Sequence, residues 1–147
     1  MHEWQVLYAV VDWQPETNEA RRFARKFSGY AGLCRYEGGK AAREISTSDE
    51  ESGAPLHKVD RSAWLSTSLG RFKCNPTTVE LPRDLPGAFY DHIKCLVRTY
   101  ERDDDGAVKV VYKATGDGAD HFAHALNYAE IALHKIPHTA HDLGQIR

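Results

Sequence analysis

The sequence predicts an α/β domain from three observations: an apolar run leading through an amphipathic helix into a second apolar run, an Asp-Gly hairpin between two alternating segments, and a closing helix with apolar residues at helical spacing. Trp4-Gln-Val-Leu-Tyr-Ala-Val-Val-Asp12 is almost unbroken in apolar and β-branched residues, which predicts a strand buried on both faces and ending in a carboxylate. Pro15 suits a first helical turn. Ala20, Phe23, Ala24 and Phe27 then form one stripe, Arg21, Arg22, Arg25 and Lys26 lie mostly off it, and Gly29 marks the stop. Tyr30 to Tyr36 reads as the second strand. Strand, helix and strand in so short a span make a βαβ unit, with parallel strands and a right-handed crossover.

Residues 37–58, with Gly38-Gly39 and Ser46-Thr-Ser-Asp-Glu-Glu-Ser-Gly53, are polar and aperiodic and read as a loop that adds little core. Asp60 can cap a helix carrying Trp64, Leu65 and Leu69; Asn75-Pro76 breaks the chain, and Thr78-Val-Glu-Leu81 is a short extended piece before Pro82. Leu85 to Leu96 regains helical spacing through Ala88, Phe89, Ile93 and Leu96. Val97 to Arg102, Asp103-Asp-Asp-Gly106 and Val108 to Lys113 form the hairpin, followed by a second turn at Thr115-Gly-Asp-Gly118. The closing helix runs from Asp120 to about Lys135, its stripe formed by Phe122, Leu126, Ala129 and Leu133, and Pro137 ends it. Residues 1–136 thus read as one domain and 137–147 as a tail.

A length of 147 residues suffices for one domain with its own core. No stretch approaches the ~20 apolar residues of a membrane span, and the N-terminus lacks the basic flank and apolar centre of a signal peptide. With 19 Lys and Arg against 21 Asp and Glu, the net charge of -2 excludes a uniformly basic surface, so any DNA contact has to come from local patches or bound metal. Cys34, Cys74 and Cys95 include no Cys-x-x-Cys and fit neither a disulfide framework nor a cysteine zinc site, which points to a reduced, cytoplasmic protein. Neither a phosphate loop nor Gly-x-Gly-x-x-Gly occurs, so nucleotide binding is not expected, and Gly-x-Ser-x-Gly is absent as well.

Asp12 stands at the carboxyl end of the first strand, where open α/β sheets place ligands, although it also suits a cap ahead of the Pro15 helix. Asp120 opens the last helix, where a carboxylate is favoured by the dipole whether or not it does chemistry. His121 adjoins it and His124 lies four residues on, a set that can hold a metal. His134, His138 and His141 form a second cluster that Pro137 interrupts, which argues against a supported metal site.

From residue 4 to about 134 the chain resembles the C-terminal nuclease domain of the large terminase subunit of tailed double-stranded DNA phages, a ribonuclease H-like fold. The likeness is carried by Val-Val-Asp12, the helix from Glu16 to Phe27, Gly-Leu-Cys-Arg-Tyr36, Val59-Asp-Arg-Ser-Ala-Trp64, Val79-Glu-Leu-Pro-Arg-Asp84, the Asp-Gly hairpin and, most specifically, Asp120-His-Phe-Ala-His-Ala-Leu-Asn-Tyr-Ala129. The resemblance implies a mixed sheet flanked by helices and a metal-dependent endonuclease, in which carboxylates hold two Mg²⁺ or Mn²⁺ about 3.5–4 Å apart to cleave phosphodiester bonds. Asp12 matches the family's second acidic ligand and Asp120 its last; His121 fills the neighbouring position and shares the catalytic and metal-binding candidacy. Arg21, Arg22, Arg25, Lys109 and Lys113 are the candidate contacts to DNA phosphates. Implied partners are double-stranded DNA, the terminase small subunit and the portal protein, in the host cytoplasm. The family's first catalytic Asp lies on a strand that would precede Met1, as would its ATPase motor, so the chain reads as N-terminally truncated. Two alternatives stand beside a nuclease: a catalytically incomplete fragment serving as a DNA-binding or docking module, and an unrelated zinc hydrolase using His121 and His124.

Overall fold

The computed structural model describes residues 6–37, 45–73, 79, 81–116 and 118–136. Strand β1 (Ala9–Asp12) leads into helix α1 (Thr17–Lys26) and strand β2 (Ala31–Tyr36), which pairs parallel to β1 with Asp12 opposite Cys34. The sequence-predicted βαβ unit is thus present. Strands β3 (Ile45–Ser48) and β4 (Pro55–Val59) follow, and the sheet order is β1-β2-β4-β3, with β4 parallel to β2 and β3 antiparallel to β4. Helices α2 (Arg61–Gly70) and α3 (Gly87–Lys94), the separate hairpin of β5 (Leu96–Arg102) and β6 (Val108–Ala114), and helix α4 (His121–Leu133) complete the order.

Three apolar clusters hold these elements. On one face of the sheet Ala20 and Ala24 of α1 pack with Leu33, Leu56, Val11 and Trp13. On the other, Ile131 and Ala132 of α4 cover Val10, Cys34 and Val59. Leu65 and Leu69 of α2, Ala123 of α4 and Leu96 and Tyr112 of the hairpin form the third, which seats the hairpin against the helices. Among the described residues no helix is long and apolar enough to cross a membrane.

Five expectations need correction. On α1 only Ala20 and Ala24 of the expected stripe pack against the sheet; Phe23 and Phe27 are exposed, and Arg21, expected off the stripe, is largely buried because Asp49 binds it. The reading of residues 37–58 as one loop is wrong, since β3 and β4 lie inside it. The signal was hidden because β4 is short and carries His57 and Lys58, yet His57 is buried with its ring nitrogens 3.2 Å from the Tyr8 hydroxyl and 3.1 Å from Ser46 Oγ. Gly32 on the adjacent strand makes room for that ring: a Cβ there would lie 2.5 Å from the Tyr8 hydroxyl and 2.7 Å from His57 Nε2. The doubly buried strand is β2, while β1 stands at the edge of the sheet and only Val10 in it is buried. Leu96 begins β5 rather than ending the preceding helix. On α4, finally, Ala129 and Leu133 are exposed and the buried face carries Ala123, Asn127, Glu130 and Ile131. Asn127 and Glu130 disguised that face, and both are satisfied by partners: Ser68 and Tyr36 for Asn127, Arg71 and His134 for Glu130.

The hairpin formed as expected. Asp103 Oδ1 accepts from the backbone N–H groups of Asp105 and Ala107, and Gly106 takes the positive φ of +81° that its turn requires. Asp60 likewise caps α2, its Oδ1 accepting from Ala63 N at 2.7 Å. The extended piece at 78–81, the tail 137–147, Cys74, His138 and His141 lie outside the described residues in whole or part.

Candidate functional site

The parallel sheet delivers Asp12 to the carboxyl end of β1, where its side chain is exposed. Oδ1 accepts from the backbone N–H of Gln14 at 3.0 Å and Oδ2 accepts from the Tyr128 hydroxyl at 2.6 Å. Tyr128 reaches it because α4 packs across the sheet face that includes Val10. The phenol is pushed well above its ordinary pKa, first by burial and then by Tyr36 and the Asp12 carboxylate, so it remains a hydrogen-bond donor throughout the neutral range.

Asp120 makes no side-chain cap to α4. Its Oδ2 instead lies 3.1 Å from His124 Nε2 and 3.4 Å from Arg61 Nη2, so the simple cap reading does not describe it. Arg61 was not singled out by sequence; the one signal was its position as the first residue of a capped helix. Its Nη1 donates to the Tyr112 carbonyl at 2.8 Å and its Nη2 lies 3.2 Å from His124 Nε2, tying α2, β6 and α4 together. His124 Nδ1 is 3.0 Å from the Tyr36 hydroxyl, which also accepts from Asn127 Nδ2 at 2.8 Å. Burial lowers the His124 pKa and Arg61 lowers it further, while Asp120 opposes both; the ring is therefore held toward its neutral form.

One polar network consequently runs from Asp120 and Arg61 through His124 and Tyr36 to the Tyr36–Tyr128 ring stack, and ends at Asp12. The stack has its centroids 5.7 Å apart. His121 is exposed at the start of α4, its ring beside His92 with centroids 5.8 Å apart, and no contact joins it to Asp12 or Asp120 in this network. Among the described residues no group of three or more His, Cys, Asp or Glu side chains is placed to hold a metal ion together. Asp12 and Asp120 stand at the two ends of the network, Asp12 on Tyr128 and Asp120 on His124, and no contact brings the two carboxylates to one shared ion.

No family model, curated protein or solved structure matches the chain.

The cationic candidates divide. Arg21 is bound to Asp49 through Nε at 2.9 Å and Nη2 at 3.0 Å and also pairs with Glu51, so it is engaged inside the fold. Arg22 pairs loosely with Glu19 on exposed α1, Arg25 is exposed on the same helix, and Lys113 pairs with Glu101 across the hairpin. Lys109 lines a cleft of about 880 Å³ between the start of α2 and the hairpin, which it shares with Arg61 and with five carboxylates, Glu37, Asp60 and Asp103 to Asp105.

Proposed function

We propose that this chain is the nuclease module of a phage DNA-packaging terminase, a ribonuclease H-like domain that hydrolyses double-stranded DNA with Mg²⁺ or Mn²⁺. The observation that supports the reading is that Asp12 at a strand end and Asp120 at a helix mouth, the two acidic positions of the resemblance, are the two ends of one polar network across α4. In this reading Asp12 and Asp120 are the ligand candidates, while His121, the third, is exposed beside His92 and stands apart from both. When bound, such ions supply an activated water and stabilise the leaving 3′ oxygen. Tyr128 and His124 hold the two carboxylates in place, and of the five basic candidates Lys109 is the one at the cleft, where a phosphate contact would have to be made against the carboxylates that share it. Duplex DNA, the terminase small subunit and the portal protein are the partners that belong to this reading, in the cytoplasm of the host cell.

The test is incubation of the full chain with supercoiled plasmid. Nicked or linear product is expected with Mn²⁺ and none with EDTA. The same assay addresses the second reading, a catalytically incomplete docking or DNA-binding module, which is favoured because among the described residues no three His, Cys, Asp or Glu side chains are placed to hold a metal. Lack of cleavage at every Mn²⁺ concentration, with duplex binding retained, overturns the nuclease reading in its favour. In a salt titration of duplex binding, Lys109→Ala is expected to weaken affinity and reduce the slope of log K against log salt by about one, the signature of a lost phosphate contact. Arg21→Ala, whose partners lie within the fold, should leave that slope unchanged and lower the melting temperature.

A further inference from the structure

We propose that the outer edge of β1, together with the flank of α1 that overhangs it, is an interface between two copies of this chain, paired antiparallel about a two-fold axis normal to the sheet. The two edges of the sheet differ in character. β3 carries Ser46, Thr47 and Ser48, whereas residues 6–11, leading into and through β1, read Val-Leu-Tyr-Ala-Val-Val, with neither a charge nor a proline to discourage pairing. Ala9 N donates to the Tyr30 carbonyl and Trp13 N to that of Cys34, so strand alternation turns the N–H groups of Val10 and Asp12 outward. Among the described residues no strand lies beyond them.

The helix above this edge supplies apolar cover for a second strand. Ala24 packs with Leu33 and Leu56, which sets α1 over β2 and β4. Arg21, about 100° round the helix from Ala20, reaches Asp49 in the β3–β4 turn. Phe23, about 100° to the other side of Ala24, therefore lies with Phe27 on the flank toward β1. Both rings are exposed and pack on each other with centroids 4.9 Å apart, and Leu7 and Tyr30, just before β1 and β2, are exposed as well. The charges on this flank select the occupant. Glu19 stands in the first turn of α1 and Lys26 in the last, both exposed, with Lys26 Nζ 5.5 Å from the centre of the Phe27 ring. Under the two-fold axis the α1 helices run antiparallel on one face of the joined sheet, so Glu19 of each copy meets Lys26 of the other across the phenylalanines. The strip is complementary to itself in charge, in apolar surface and in backbone hydrogen bonding, and a second copy satisfies all three.

Sedimentation of the full chain over a range of concentrations tests the proposal, and a monomer–dimer equilibrium is expected. Lys26→Glu, which sets like charges opposite Glu19 at both symmetric contacts, should weaken the dimer about tenfold or more, and Glu19→Lys should do the same. Glu19→Lys combined with Lys26→Glu should restore it, because the opposite charges have only exchanged sides. Both side chains are exposed, so these variants alter the surface rather than the core. Amide exchange reports on the strand edge: the N–H groups of Val10 and Asp12 should exchange more slowly as the concentration rises and the dimer forms. A chain that stays monomeric up to about 1 mM, the weak end of specific association, overturns the proposal. So does a dimer that Lys26→Glu leaves unchanged, that the exchanged pair fails to restore, or in which Val10 and Asp12 exchange as fast as in the monomer.

Discussion

Asp120→Asn is expected to lower Mn²⁺-dependent plasmid cleavage at least about a hundredfold, since losing a ligand exceeds the ~10–100-fold cost of losing a group that merely supports one. The same substitution should barely disturb the fold. Asp120 contributes no side-chain cap, and its contact with Arg61 joins side chains 32% and 26% exposed, an ion pair of the kind worth ~0–1 kcal/mol. Arg61 keeps its bond to the Tyr112 carbonyl when the charge is removed, and the asparagine oxygen can still accept from it. The melting temperature is therefore expected to stay within about 3 °C of the parent, a shift matching under ~1 kcal/mol in a domain of this size. His121→Ala separates the two candidates at the helix mouth: with its ring exposed beside His92, it should reduce cleavage far less than Asp120→Asn. Full cleavage by Asp120→Asn would remove Asp120 from the site.

The backbone of this arrangement was legible where local chemistry and burial agree. Val-Val-Asp12, the Asp60 cap and the Asp-Gly hairpin each follow from periodicity or turn chemistry, and each is present, whereas of the α1 stripe only Ala20 and Ala24 pack inward and Phe23 and Phe27 are exposed. Sequence reading failed where burial is achieved by polar residues. His57 looked like part of a loop because nothing in its neighbourhood reveals that Tyr8, Ser46 and the missing side chain of Gly32 accommodate it. The buried side of α4 was misplaced for the same reason, as Asn127 and Glu130 break the apolar stripe that periodicity looks for.

The site was half legible. Asp12 and Asp120 stood out because a carboxylate at a strand end and another at a helix start are visible in one dimension. Arg61 and Tyr36 were not, since their importance lies in contacts across 51 to 91 residues of chain, as in Arg61 with Tyr112 and Asn127 with Tyr36. Tyr128 could have been found from its spacing of four from His124 and eight from Asp120. What the spacing alone does not reveal is that β1 would bring Asp12 to meet it.

The second large effect is on stability and depends on acid. Asp49, in the turn between β3 and β4, is almost wholly buried, and four donors converge on its carboxylate: Arg21 Nε and the Ser52 N–H and hydroxyl at Oδ2, and Arg21 Nη2 at Oδ1. Asp49→Asn offers only one accepting oxygen to these donors and turns an NH₂ group toward one of them. A cost of about 2–4 kcal/mol is expected in urea denaturation at neutral pH, in the range for breaking a hydrogen-bonded buried pair. The hydrogen bond from Arg21, more than any other interaction, holds the folded-state pKa of Asp49 well below the usual carboxylate value, with Ser52 adding to it and burial opposing. The unfolded chain titrates near ~3.9, so the unfolded state binds the proton first as acid is added. The stabilisation is therefore complete above about pH 5 and is lost as pH falls through the carboxylate range toward the depressed folded value. Glu130, lowered mainly by its hydrogen bond from Arg71, adds a second contribution of the same sign. Measured across pH 7 to 2, the stability gap between the parent and Asp49→Asn should stay constant down to about pH 5 and then close. A gap that does not change with pH would mean that the variant's cost is one of packing in the turn, and that the Arg21–Asp49 charge pair does not hold α1 to the β3–β4 hairpin.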